Sequence, residues 1–177
     1  MTKYPPLVTT VMIGLLMAVF LSGNSLAIVV KGEDRVHISN LHEIDDDLYA
    51  FGEYITIDGR IEGDIVAGGY EISTNGFTGG SQNIGAYEYR HTGKTDGSIR
   101  AAGYDITIDG FIGRSLLAAG NTVRLTQGSV VSNNVNISSN IAMIGGTIAG
   151  KLDFQGSKLY LSGSVNGDVT IKAEKVF

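Results

Sequence analysis

Residues Asp105 to Gly120 read DITIDGFIGRSLLAAG, and Tyr54 to Gly69 read YITIDGRIEGDIVAGG. Each copy runs apolar, polar, apolar into Asp-Gly, takes a short apolar step, and ends a second alternating run in glycine. Working outward from them, the phase persists. DLYAFG begins at Asp47, DIVAGG follows seventeen residues later at Asp64, and SIRAAG stands at Ser98 after twice that interval. SLLAAG follows at Ser115, two extra residues then intervene before NVNISS at Asn134, and the spacing resumes with KLDFQG at Lys151 and DVTIKA at Asp168. The skipped interval holds SQNIGA at Ser81, a degenerate copy.

A second column keeps the same phase, with ITIDG at Ile55, ISTNG at Ile72, YRHTG at Tyr89, ITIDG at Ile106, VRLTQ at Val123, AMIGG at Ala142 and LYLSG at Leu159. A shorter step carries Ile61, Ile112, Ile148 and Val165. Alternation within each run is the period of a strand with one buried face. Three such short strands per repeat bury too little alone, but stacked coil upon coil they share one column of Ile, Val, Leu and Ala. The spacing predicts an all-β fold, a β-solenoid of seven to eight coils of about seventeen residues with three short strands each. Glycines recur at two corners: Gly59, Gly76, Gly93, Gly110, Gly146 and Gly163 at one, Gly52, Gly69, Gly103, Gly120 and Gly156 at the other. The expected reason is a tight corner at φ > 0, which glycine adopts without steric cost.

Composition narrows the function. With no cysteine, the chain has no disulfide, thiolate metal site or cysteine nucleophile. Residues 1–27 carry one cation, Lys3, then the uncharged run LVTTVMIGLLMAVFLS and the small residues Ser25 and Ala27. This reads as a secretory signal cleaved after Ala27, or as an uncleaved membrane anchor; either places the body outside the cytoplasm, in the periplasm or at the cell surface. Losing Lys3 makes the formal charge of −5 one unit more negative, which disfavours nucleic acid and anionic lipid as partners. Membrane contact is expected only through the N-terminal segment. Residues 28–46 follow as a leader able to lie across the first coil as a cap, and 47–177 form the solenoid.

Asp58 and Asp109 lie three coils apart and read as corner residues, in column with Asn75, Thr92, Thr126 and Ser162. Glu71, Glu88 and Asp105 should stack on successive coils. Like charges so placed repel, so the column reads as a solvated edge eased by Arg90 or Arg100, as a weak cation site, or as an acid/base pair. His91 falls in an inward phase, which implies either a buried neutral histidine or an outward-bulged coil. No P-loop, nucleophile elbow or paired-metal spacing is present, so no catalytic residue and no cofactor are expected.

The "DDDLYAFG" start at Asp45 and the recurring TIDG…GD-apolar-x-A-x-G pattern resemble the bactofilins, the polymer-forming cytoskeletal family, over about Asp45 to Phe177. The closer likeness is to an exported branch bearing a signal or anchor. The resemblance implies a right-handed triangular β-helix polymerising end to end as a scaffold for envelope or cell-wall proteins, with no enzymatic activity. The outward-directed N-terminus departs from the usual cytoplasmic bactofilin. A second reading is a binding module that presents Tyr49, Phe51, Leu117 and Asn136 to a glycan or protein, and a third is a polysaccharide-acting enzyme. Unpaired edges at the coil ends make a homo-oligomer through those ends the expected partner.

Overall fold

The computed structural model describes residues 28–177, which are built of strands and turns without a helix. Long strands β1 (Ile28–Ile38), β3 (Leu48–Ile57), β5 (Ile65–Thr74), β7 (Gln82–His91), β9 (Ile99–Ile108), β11 (Leu116–Leu125), β13 (Val135–Ile144), β15 (Leu152–Leu161) and β17 (Val169–Val176) stack in order as one parallel sheet. Between them the two-residue strands β2 (Glu43–Ile44), β4 (Arg60–Ile61), β6 (Phe77–Thr78), β8 (Lys94–Thr95), β10 (Phe111–Ile112), β12 (Val130–Val131), β14 (Thr147–Ile148) and β16 (Ser164–Val165) stack as a second. The chain is a β-solenoid of about eight turns.

The three runs expected per coil are present as two hydrogen-bonded strands. Leu48 and Ala50 face inward, and so do Ile55 and Ile57, which have the opposite parity. A flat strand cannot bury both sets. The strand therefore bends at Gly52 to Tyr54 and turns two faces of the coil inward without breaking its ladder. The third face comes from the short strands, whose Ile61, Ile112, Val131 and Ile148 are fully buried. Equivalent residues stand in direct register, as in Ile55 opposite Ile72 and Leu116 opposite Ile99. Each buried Ile or Leu contributes roughly 1.5–3 kcal/mol of transfer energy, so the columns supply the main drive for stacking.

The corner glycines answer to a different constraint from the one expected. At Gly76 and Gly156 φ lies outside the left-handed region; a Cβ would instead stand 2.0 Å from the Gly59 carbonyl oxygen and 1.7 Å from that of Ser139. Coil-to-coil approach of backbones excludes a side chain there. The two-residue insertion, Gln127 and Gly128, forms a turn at this corner. Buried Ser129 closes it, its amide and Oγ both donating to the Thr126 carbonyl oxygen at 3.1 and 2.8 Å.

Residues 28–46 do not cross the end of the stack as the leader was expected to. β1 lies parallel on β3 with Val36 opposite Ile55, after a register shift between Val30 and Glu33. β2 continues the short-strand column with Ile44 opposite Ile61. The segment is itself a coil. The signal or anchor expected over residues 1–27 lies outside the described residues.

Candidate functional site

Glu71, Glu88 and Asp105 occupy successive coils of one column, below Thr122 and above Tyr54. They stand at the outer bend of the long strand, so stacking sets them in a line instead of a cage. No three Asp, Glu or His side chains converge on a metal site among the described residues. Relief comes from an arginine the sequence did not suggest: Arg124 reaches down to Asp105. Arg90 instead approaches Asp109 at 3.6 Å. Arg100, Glu71 and Glu88 make no ion pair among the described residues.

Asp58 and Asp109 stand in corner ladders. Asp58 accepts from Asn75 at 2.8 Å, Asn75 accepts from Thr92 at 2.8 Å, and Thr126 donates to Asp109. Exposed His37 adds a 2.9 Å contact to Asp58. The Asn75 amide, and after it His37, hold the Asp58 carboxyl below the usual range. A second ladder went unread. Asp47 accepts from the amide of Asp64 at 2.7 Å, Asp64 from that of Ser81 at 2.7 Å, and Asn134 from that of Lys151 at 3.0 Å. This is why Asp, Asn or Ser so often precedes the first apolar residue of each long strand. Each side chain satisfies a backbone donor on the coil above.

The patternless coil from Ser81 to Gly97 is regular in backbone but polar inside. Gln82 donates from Nε2 to Thr78 and Thr95 at 3.0 and 2.7 Å, and accepts at Oε1 from the Tyr89 hydroxyl at 2.7 Å. Thr74 joins Tyr89 at 3.1 Å and His91 Nδ1 at 2.9 Å. Because Tyr89 donates to Gln82, the Thr74 proton goes to Tyr89, and Nδ1–H of His91 donates to Thr74. His91 Nε2 is left 3.4 Å from the Phe111 carbonyl oxygen. All six side chains are buried, and each makes at least one hydrogen bond within the network. Burial holds His91 down to about 4 and pushes the Tyr89 phenol up. Of the two readings open for His91, the buried neutral one is what the structure contains. It is a core residue without access to substrate.

Two surfaces remain. At the outer bend of the long strands, Tyr70, Tyr87 and Tyr104 stack ring on ring, with centroids 4.9 Å apart and planes parallel within 2°. Beside this ridge runs an open groove of about 580 Å³ over Gly68, Gly85, Ala102 and Ala119, flanked by Phe51 and Leu117. The sequence pointed to Phe51 and Leu117 but missed the tyrosines, although Tyr recurs at intervals of seventeen at 70, 87 and 104. At the last coil, Val169 and Val176 are 43% and 54% exposed, while Leu152 and Leu159 directly below them are buried. Phe177, also exposed, stacks on Tyr160 at 4.7 Å. No family model, curated protein or solved structure matches this chain.

Proposed function

We propose that this chain is a non-enzymatic, self-assembling β-helical scaffold of the bacterial cell envelope, bactofilin-like, exported by its N-terminal segment and joined to further copies through its coil ends. The observation that carries this reading is the last coil. Its residues continue the core columns, Val169 over Leu152, Ile171 over Phe154 and Val176 over Leu159, yet they lack a coil above them among the described residues. One further coil would bury these side chains and pair the free edge of β17. The end of another copy offers both apolar surface and strand edge. A scaffold role also accords with the chemistry of the polar residues, which serve corner ladders and one internal network.

Electron microscopy of the full chain against an Ile171→Lys variant tests it. Filaments from the unaltered chain that shorten or vanish in the variant support coil-end assembly. A monodisperse monomer in both, at high concentration, sinks it. The enzymatic alternative is tested by replacing Glu71, Glu88 and Asp105 together with Ala. The scaffold reading expects assembly to persist; loss of a measurable glycan-cleaving activity would overturn it.

A further inference from the structure

The tyrosine ridge and the furrow beside it share a feature that the fold itself does not require. A Cβ on Gly85 would meet nothing within 4 Å, whereas at Gly76, Gly93, Gly103 and Gly110 it would run into backbone. On Gly68 the two nearest atoms belong to the movable ring of Phe51, and the nearest backbone atom, the Gly85 carbonyl oxygen, stands 4.0 Å away. Glycine inside a strand weakens it and often marks a site where another backbone or ligand approaches closely. Here the chain itself makes no close approach to Gly85.

The small residue and the tyrosine come in pairs on the same strand, two residues apart: Gly68 with Tyr70, Gly85 with Tyr87, Ala102 with Tyr104. Each tyrosine stands on the bend of its strand and each small residue just before it, so the ridge borders the furrow along the edge of that face. Ridge and furrow therefore run parallel with one pitch, fixed by the same coil spacing. We propose that this face binds a second copy of the chain, laterally and in parallel, about a two-fold axis that runs along the solenoid between ridge and furrow.

That operator lays each copy's ridge over the other's furrow, coil for coil. Tyr87 of one copy seats on Gly85 of its partner, Tyr104 on Ala102, and Tyr70 against the Phe51 ring that covers Gly68. A two-fold axis along the strand direction would instead set ridge on ridge. The alignment also carries Arg100, which has no ion pair among the described residues, past the ridge toward the corner where Glu88 and Asp105 stand. The occupant is thus the one surface whose period and shape are bound to match, and the contact is isologous. With three coils engaged, the interface falls in the weak class below about 1,200 Å² in total. It gains strength when copies are also joined end to end. The lateral contact stands without end-to-end assembly.

The absence of native cysteine makes the test clean. In the full chain carrying Ile171→Lys to remove coil-end contacts, Gly85→Cys and Tyr87→Cys variants are oxidised singly and as a mixture. Disulfide-linked dimer is expected at least five-fold more in the mixture than in either alone. Cross-linking of Tyr87→Cys with itself, or none in the mixture, would overturn the proposal. Sedimentation equilibrium of Gly85→Leu supplies a second readout. The open space at Gly85 lets the chain keep its strand circular dichroism, and the dimer is expected to weaken at least ten-fold. Unchanged association would overturn the inference. Because coil-end assembly is scored separately by Ile171→Lys on the filaments, failure of either contact leaves the other legible.

Discussion

Gly76 and Gly85 look alike in sequence and are expected to behave oppositely. An alanine Cβ at Gly76 meets the Gly59 carbonyl oxygen at 2.0 Å, and that atom belongs to a hydrogen-bonded coil. Gly76→Ala is therefore expected to cost about 2 kcal/mol or more, the range of overpacking. Gly85→Ala has open space and is expected to stabilise by about 0.5 kcal/mol, because it removes glycine's backbone freedom. Urea titration of the two variants checks the contrast. His91 supplies a second residue-scale test. Its folded value of about 4 lies below the ordinary 6.5, so the unfolded chain takes up the proton first. Stability should fall as pH drops from about 6.5 toward 4, by about 3 kcal/mol in all, and this contribution is constant outside that window. The depressed Asp58 acts only at lower pH, as its carboxylate is protonated. His91→Ile, matching Ile57 and Ile108 in the column, is expected to abolish the slope between pH 6.5 and 4 in thermal melts; a slope that persists would place its origin elsewhere. The recurrence of glycine was plain in the sequence. Its cause was not, because the limit is set by the coil below, which a local reading of φ and ψ does not include.

Ladders are the element-scale device of this molecule, and they show why some positions were legible and others not. The apolar columns follow from alternation and a seventeen-residue interval, both visible in one dimension. The coil from Ser81 to Gly97 breaks the hydrophobic pattern yet keeps the register, because its polar side chains satisfy one another across coils: Gln82 bridges Thr78 and Thr95, and Thr74 links Tyr89 to His91. Those pairings are properties of contacts between coils, and hydropathy at single positions does not encode them. The same limit hid the reach of Arg124 to Asp105, which skips from one column to its neighbour. On the outside of the short strands, Arg60 and Lys94 interleave with Phe77 and Phe111, the Arg60 guanidinium lying 4.0 Å from the Phe77 centroid. That stripe alternates cation and ring, whereas Glu71 over Glu88 sets like charges together. Glu71→Gln with Glu88→Gln is accordingly expected to raise stability by a few tenths of a kcal/mol, more at low salt than at high. In the Asx ladder, Asp64→Ala leaves the Ser81 amide without its 2.7 Å acceptor and should cost about 1 kcal/mol, while Asp64→Asn restores the acceptor and most of the stability. Equal losses in the two variants would assign the effect to charge instead.

At the scale of the whole molecule, stability is nearest-neighbour in kind, because each coil touches only the one above and the one below. The interior coils bury Ile106, Leu116, Val123, Val135 and Phe154 completely, whereas the columns run out at Val169 and Val176. Among the described residues the last coil therefore opens more readily than the interior ones. Whatever covers it stabilises the coils beneath it as well. If the cover is another copy, association and folding are linked by mass action, and the melting temperature must depend on protein concentration. The full chain is expected to melt at rising temperature as its concentration is raised a hundred-fold. The gain corresponds to at most about 2.7 kcal/mol when the final concentration reaches a hundred times the dissociation constant. Ile171→Lys places a charge in the uncovered column and should melt lower, with its concentration dependence confined to the weaker lateral contact. Adding Gly85→Leu should remove what is left. A melting temperature that stays constant for the unaltered chain over that range would leave the open coil without a self-partner, and the apolar end would then call for a different protein to cover it.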